Sequence, residues 1–361
     1  QGFVFSTEEE LSSLEQLTNQ TFGFTTDIPI RYSFEAYVPN VAEQEGGTCV
    51  GYAMLYYALS TMYNIEFGIT DNRGKLAHAF DPYYIYTILN NDKSDPCDQG
   101  LRMYEATETL QNIGAKKLLY PPYLSCGTRW TKSKLMPVLD YTLPYAISDF
   151  ISIDMNQPNL VELAKGALYY NLPIISAFFI TESLYPRSSS NPNGVDNFGL
   201  WSPNELEESI GGHAMTIIGY DDYKYGGAFR VVNSWGTEYA DEGYIWITYK
   251  DWLEYAKESY ILELNKNIAS ASGDFKIYQD DYVRYEKNNT TYEGETSLNY
   301  AFDGMGIFYE PSDDTYYIGN YKQNQLNGYT LYIDSDGLFS SNVVNGVFQN
   351  VNQLGFSGAP D

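Results

Sequence analysis

Three short stretches of this chain hold side chains that could do covalent chemistry together. They read Gln44-Glu-Gly-Gly-Thr-Cys49, then Gly-Gly-His213-Ala-Met, then Val-Val-Asn233-Ser-Trp-Gly. A thiol at its usual pKa of about 8.5 is only a few per cent thiolate near neutral pH. An imidazole beside it can take the proton and later hand it to a leaving amine. A carboxamide that accepts a hydrogen bond from the ring holds the ring in its useful orientation. Only two histidines exist in the chain, and His213 stands in this set. The set predicts acyl transfer through a Cys49 thioester, with His213 as general base and acid and Asn233 orienting the ring. Trp235 would shield the Asn233–His213 bond from water, and the Gln44 amide with the Cys49 backbone N–H would serve the oxyanion.

These residues need particular elements beneath them. Gly46, Gly47 and Thr48 supply a turn and an N-cap, and Val50, Ala53, Met54, Tyr57 and Ala58 follow helical spacing. Cys49 therefore belongs in the first turn of a buried helix, where free N–H groups favour a thiolate. A second helix is predicted over 101–113, stopped by Gly114, and a third over 160–170. Pro173 then leads into a buried strand over 174–180, with further short strands over 213–220, 229–233 and 244–249. A helical half followed by a strand-rich half implies an α+β fold with a cleft between the halves.

Composition narrows the function class. Lys and Arg total 21 against 47 Asp and Glu, a net charge of −26. Such an acidic surface repels nucleic acid and anionic lipid. No apolar run is long enough to span a bilayer. Two distant histidines and no Cys-x-x-Cys leave no metal set, and no glycine-rich phosphate loop is present, so no cofactor is expected. His78 reads as a structural or surface residue. Cys49, Cys97 and Cys126 make an odd count, which leaves open either three reduced thiols or one disulfide. The 36 tyrosines and few lysines suit an extracellular protein whose signal peptide has been removed. The expected location is secreted, cell-surface or periplasmic, in a bacterium.

The three motifs resemble those of the papain family of cysteine peptidases. The shared features are a glutamine ahead of the nucleophile, Gly-Gly-His213-Ala-Met-Thr-Ile-Ile-Gly-Tyr, and Asn233-Ser-Trp-Gly-Thr followed by Gly243-Tyr-Ile. The resemblance covers about Pro29 to Leu264 and implies a two-lobed fold, helical and β-barrel-like, that hydrolyses peptides or proteins. Cys97-Asp-Gln-Gly100 resembles the family's substrate-lining stretch, which makes Gly100 a candidate for pairing with a bound peptide. Gly212, just before His213, is a second candidate substrate-binding residue. Two departures stand out. Gln44 lies five residues before Cys49, where the family usually has six. The Gly46-Gly-Thr-Cys49 run also lacks the family's cysteine in the nucleophile loop, so that disulfide cannot form and Cys126 becomes the candidate partner for Cys97.

The chain is expected to divide into a lead at 1–26, a peptidase-like domain at 27–264, a linker at 265–273 and a β-rich region at 274–361. The lead contains a capped helical pattern through Leu11, Leu14 and Leu17 and is too short for a self-sufficient inhibitory prodomain. Tyr292-Glu-Gly294 and Tyr317-Ile-Gly319 resemble MORN-type hairpin repeats. This region would bind a protein, a glycan or a cell surface. The alternative to a peptidase is a catalytically inactive papain-fold protein that binds peptides or surfaces.

Overall fold

A computed structural model describes residues 3–7, 27–120, 122–142, 145–204, 206–264, 282–287, 290–296 and 302–355. The helix expected through Leu11, Leu14 and Leu17, and the linker at 265–273, lie outside these residues.

Cys49 opens a continuous helix that is α-helical over Cys49–Gly51, π-helical over Tyr52–Leu59 and α-helical again over Ser60–Glu66. The apolar pattern predicts the helix but not its wider winding. Two hydroxyls reach carbonyls of the widened stretch: Thr216 donates to the Ala53 oxygen at 2.8 Å and Ser60 to the Leu55 oxygen at 2.9 Å. Residues 47–64 are all buried, so the helix runs through the interior rather than along a surface. Helix Met103–Ile113 follows a two-residue strand, Leu101–Arg102, and ends at Gly114. Helix Leu160–Tyr169 lies where the sequence places one. Helix Lys132–Thr142 does not announce itself in the sequence, because Pro137 sits inside it.

One eight-stranded sheet carries the second half of the site. Its order is Ile147–Ser152, Ala256–Leu264, Ile174–Ile180, Gly211–Asp221, Ala228–Val232, Tyr244–Thr248 and Leu200–Trp201, with Arg31–Ser33 also pairing to Gly211–Asp221. All pairs are antiparallel except Leu200–Trp201 with Tyr244–Thr248. Strand Gly211–Asp221 is central and buried along most of its length, and the Cys49 helix packs on it. The fold is thus α+β, as expected.

A second sheet of seven strands runs from Tyr282–Lys287 to Val347–Gly355 as an antiparallel meander. Side chains alternate across it. Ile318, Leu331, Ile333 and Leu338 join the core that also holds Leu110 and Trp130 of the helical half. The register Phe308–Tyr317–Tyr332–Phe339 puts an aromatic row on the opposite face. Lys132 ties the two parts further through an ion pair to Asp314 at 2.8 Å.

The Cys49 helix meets the next helix, Tyr83–Leu89, at very close range. A Cβ on Gly51 would fall 2.0 Å from the Pro82 carbonyl oxygen, so even alanine must push the two helices apart. Overpacking of this kind costs about 1–3 kcal/mol or more. Gly51→Ala should lower the urea midpoint accordingly, whereas an unchanged midpoint would show that this contact carries no strain.

Candidate active site

The strand that carries His213 also touches the cysteine. The backbone N–H of Ala214, the next residue, points to Cys49 Sγ at 3.5 Å. Cys49 is fully buried and keeps its thiol. Asn233 sits just past strand Ala228–Val232, and its Oδ1 lies 2.7 Å from His213 Nε2. Ser234 N–H also donates to this Oδ1, at 2.8 Å, so the atom is an acceptor. His213 Nε2 must therefore carry the hydrogen, which leaves Nδ1 with its lone pair free to take a proton. Trp235 stacks on the imidazole at 4.9 Å between centroids, and Tyr185 stacks in turn on Trp235 at 5.4 Å.

Tyr57, two turns along the Cys49 helix, braces this corner. Its hydroxyl donates to the Asn233 carbonyl at 3.0 Å and accepts from Ala42 N–H at 3.0 Å. The sequence marks Tyr57 only as an apolar position on the helix. Its hydroxyl contact spans 176 residues of sequence, and no local signal could have found it.

The nucleophile loop rests on the segment that leads to Gly100. Cys97 and Cys126 form a disulfide, with Cα atoms 5.0 Å apart. Gly47 N–H donates to the Cys97 carbonyl at 2.6 Å. Cβ atoms on Gly46 and Gly47 would fall 2.1 Å from the Cys97 oxygen and 2.2 Å from the Gln99 oxygen. Backbone packing here takes the place of a covalent link between the two loops. Gln44 bonds to the third motif: its N–H and its Oε1 both meet Ser234, at 2.7 and 2.6 Å, while its Nε2 donates to Gly46 O at 2.7 Å. His78 lies apart from this group, at the end of helix Asn72–His78 and beside Phe67.

The structure also brings in residues that sequence reasoning missed. Strand Phe3–Val4 pairs in parallel with Leu101–Arg102, directly after Gly100. The Phe3 ring lies 3.0 Å from where a Cβ of Gly212 would be, and Phe5 packs on Phe179 at 4.4 Å. Ser6 then binds Glu258, its hydroxyl at 2.8 Å. Phe3 thus sits between Leu101, the residue after Gly100, and Gly212, and Gly100 and Gly212 are the two positions expected to hold substrate. Leader residues 3–6 carry two phenylalanines, and that was the available signal.

Burial sets the electrostatics of the site. Burial pushes the Cys49 thiol up to about 11 and the His213 imidazole down to about 4, although the Asn233 bond works the other way on His213. Both groups are neutral in this closed arrangement, whereas the sequence predicts a thiolate–imidazolium pair. Burial disfavours the charged forms, and water must reach the site before the pair can ionise.

Residues 148–262 match the family model described as papain family cysteine protease. An uncharacterised peptidase C1-like protein of Acanthamoeba polyphaga mimivirus is 31% identical over 109 residues, which is 30% of this chain and 32% of that protein. The match therefore spans about a third of the relative's length. Among solved structures, xylellain, a cysteine protease from Xylella fastidiosa, is similar with a TM-score of 0.58 at 15% identity, over 73% of this chain and 96% of its own. Procathepsin B S9 from Trypanosoma congolense is similar with a TM-score of 0.52 at 15% identity, over 72% and 86%. The fold is papain-like. The family match stops at residue 262, and the seven-stranded sheet starts at Tyr282.

Two outcomes test this geometry. Tyr57→Phe leaves the Ala42 N–H and the Asn233 carbonyl without their partner, at a cost of about 1–3 kcal/mol. Its melting temperature should fall, and an unchanged value would show that water replaces the hydroxyl. The second concerns pH. The unfolded chain protonates His213 below about 6.5, the native chain only below about 4. Stability from this group is therefore whole above pH 6.5 and is lost as pH falls toward 4, by about 3 kcal/mol. The melting temperature of His213→Gln should vary less over that window than that of the unaltered protein.

Proposed function

We propose that the protein is a cysteine peptidase that hydrolyses peptide bonds through a Cys49 thioacyl intermediate. The observation that carries this reading is the 2.7 Å His213–Asn233 bond on the strand whose next amide meets Cys49 Sγ. His213 Nδ1 takes the thiol proton, and the sulfur attacks the scissile carbonyl. The negative charge that forms on the carbonyl oxygen is held by the Cys49 N–H, with the Gln44 amide as the second candidate donor. His213 gives its proton to the departing amine. Water, deprotonated by the same ring, then releases the acid and restores the thiol. Asn233 keeps Nδ1 aimed inward throughout, and Trp235 with Tyr185 walls the bond from solvent.

A bound peptide would lie where Phe3–Ser6 now lies, along Gly100 and Gly212. Phe3–Ser6 acts as an internal cover that must leave before substrate enters. The disulfide supports an oxidising compartment, and hence a secreted, cell-surface or periplasmic location. The seven-stranded sheet is a docking element for a protein, glycan or cell surface. The second reading, an inactive peptide-binding cleft, is favoured by one observation: the nucleophile and base are both covered and neutral.

A peptidyl epoxide followed by intact-mass analysis separates the two. A single adduct, absent in Cys49→Ala, is expected, and Cys49→Ala should also lose turnover while keeping its melting temperature. Phe3→Ala combined with Phe5→Ala removes two aromatic anchors worth about 1.5–3 kcal/mol each, so alkylation should quicken by on the order of tenfold or more. No adduct in either protein would leave the inactive reading standing. An adduct without acceleration would sink the cover.

A further inference from the structure

The seven-stranded sheet changes character along the face it turns to the helical half. Toward one end that face is aliphatic, with Ile318, Leu331, Ile333 and Leu338 buried. Toward the other end, where strand Thr315–Lys322 turns into Gln325–Ile333, the same face presents Asn320, Asn327 and Asn342. The two surfaces diverge there and enclose a cavity of about 350 Å³ against helix Met103–Ile113. That size lies within the roughly 300–1,000 Å³ usual for small-molecule sites.

Its lining selects among ligands. Gln111 and Asn112 of the helix join the three asparagines of the sheet, so five carboxamide residues line the cavity, with Gln111 Nε2 donating to the Ser148 carbonyl at 2.9 Å. Each offers both donors and an acceptor, which is what neighbouring hydroxyls on one ligand need. Tyr104 and Tyr329 add ring faces and phenols. Aliphatic side chains are missing from the wall, which disfavours a lipid. Glu108 and Asp303 outnumber Lys322, which disfavours phosphate or sulfate. The wall is also braced: Asn112 Nδ2 donates to the Tyr329 carbonyl at 3.0 Å. Burial raises the Glu108 carboxyl to about 7, so near neutral pH it can donate as well as accept.

We propose that this cavity binds a neutral saccharide of one or two sugar units, held by the carboxamides through its hydroxyls and by the tyrosine rings through its C–H faces. The site is distinct from the Cys49 cleft, and the proposal stands whether or not that cleft is active. It gives the C-terminal sheet a glycan as its partner and places the recognition between the sheet and the helix rather than on the outward aromatic row.

The full chain would be applied to a printed array of neutral and acidic glycans, and the best neutral hit would be titrated as the free sugar by calorimetry. Retention of neutral glycans is expected, with binding of the free sugar showing that the sugar itself suffices. Asn320→Leu and Asn342→Leu, both at exposed positions, should each weaken binding at least tenfold. Tyr332→Ala, on the outward face, should leave it unchanged. Saturating sugar should also slow amide hydrogen exchange in helix Met103–Ile113 of the unaltered protein, a readout that needs no variant to fold. The proposal fails if no neutral glycan is retained, if only charged glycans bind, if Asn320→Leu and Asn342→Leu bind normally, or if Tyr332→Ala is the variant that loses binding.

Discussion

The packing of the Cys49 helix on strand Gly211–Asp221 is the constraint on which the rest depends. That contact brings the first turn of one element to the middle of the other, and it sets the Ala214 N–H against the sulfur. Every other feature of the site is a consequence or a support. Thr216, two residues further along the strand, reaches the Ala53 carbonyl within the π-helical stretch. The strand thus hydrogen-bonds to the helix at two places, at Cys49 in its α-helical first turn and at Ala53 in the widened stretch. Such widened turns recur at functional sites in other proteins.

Buried hydroxyls and backbone groups do much of the positioning. Tyr57 links the helix to the Asn233 carbonyl, and Ser234 links the third motif to Gln44. Gly46 and Gly47 let the nucleophile loop press on the Cys97–Gln99 segment, which the Cys97–Cys126 disulfide ties down from its far side. Water cannot easily replace the buried Tyr57–Asn233 contact, because both groups would be left unsatisfied if the partner moved. Burial also keeps Cys49 and His213 neutral.

The sequence by itself determined the α+β class, the helix under Cys49, the central strands, and the identity and order of Cys49, His213 and Asn233. Those are legible because apolar periodicity reports local burial, and because rare residue types in fixed local contexts need no long-range information. Its reading of Gln44 as an oxyanion donor rests on the same local logic. The amide's actual bonds, to Ser234 and Gly46, depend on where a loop 190 residues away comes to lie. Only the tertiary structure decided the Tyr57 brace, the seating of Phe3 and Phe5 at Gly212, the Cys97–Cys126 bond and the cavity between the C-terminal sheet and helix Met103–Ile113. Each of these joins segments far apart in the chain. Their energies come from desolvation and packing between surfaces that no local pattern encodes, so folding had to bring the surfaces together before the chemistry could be read.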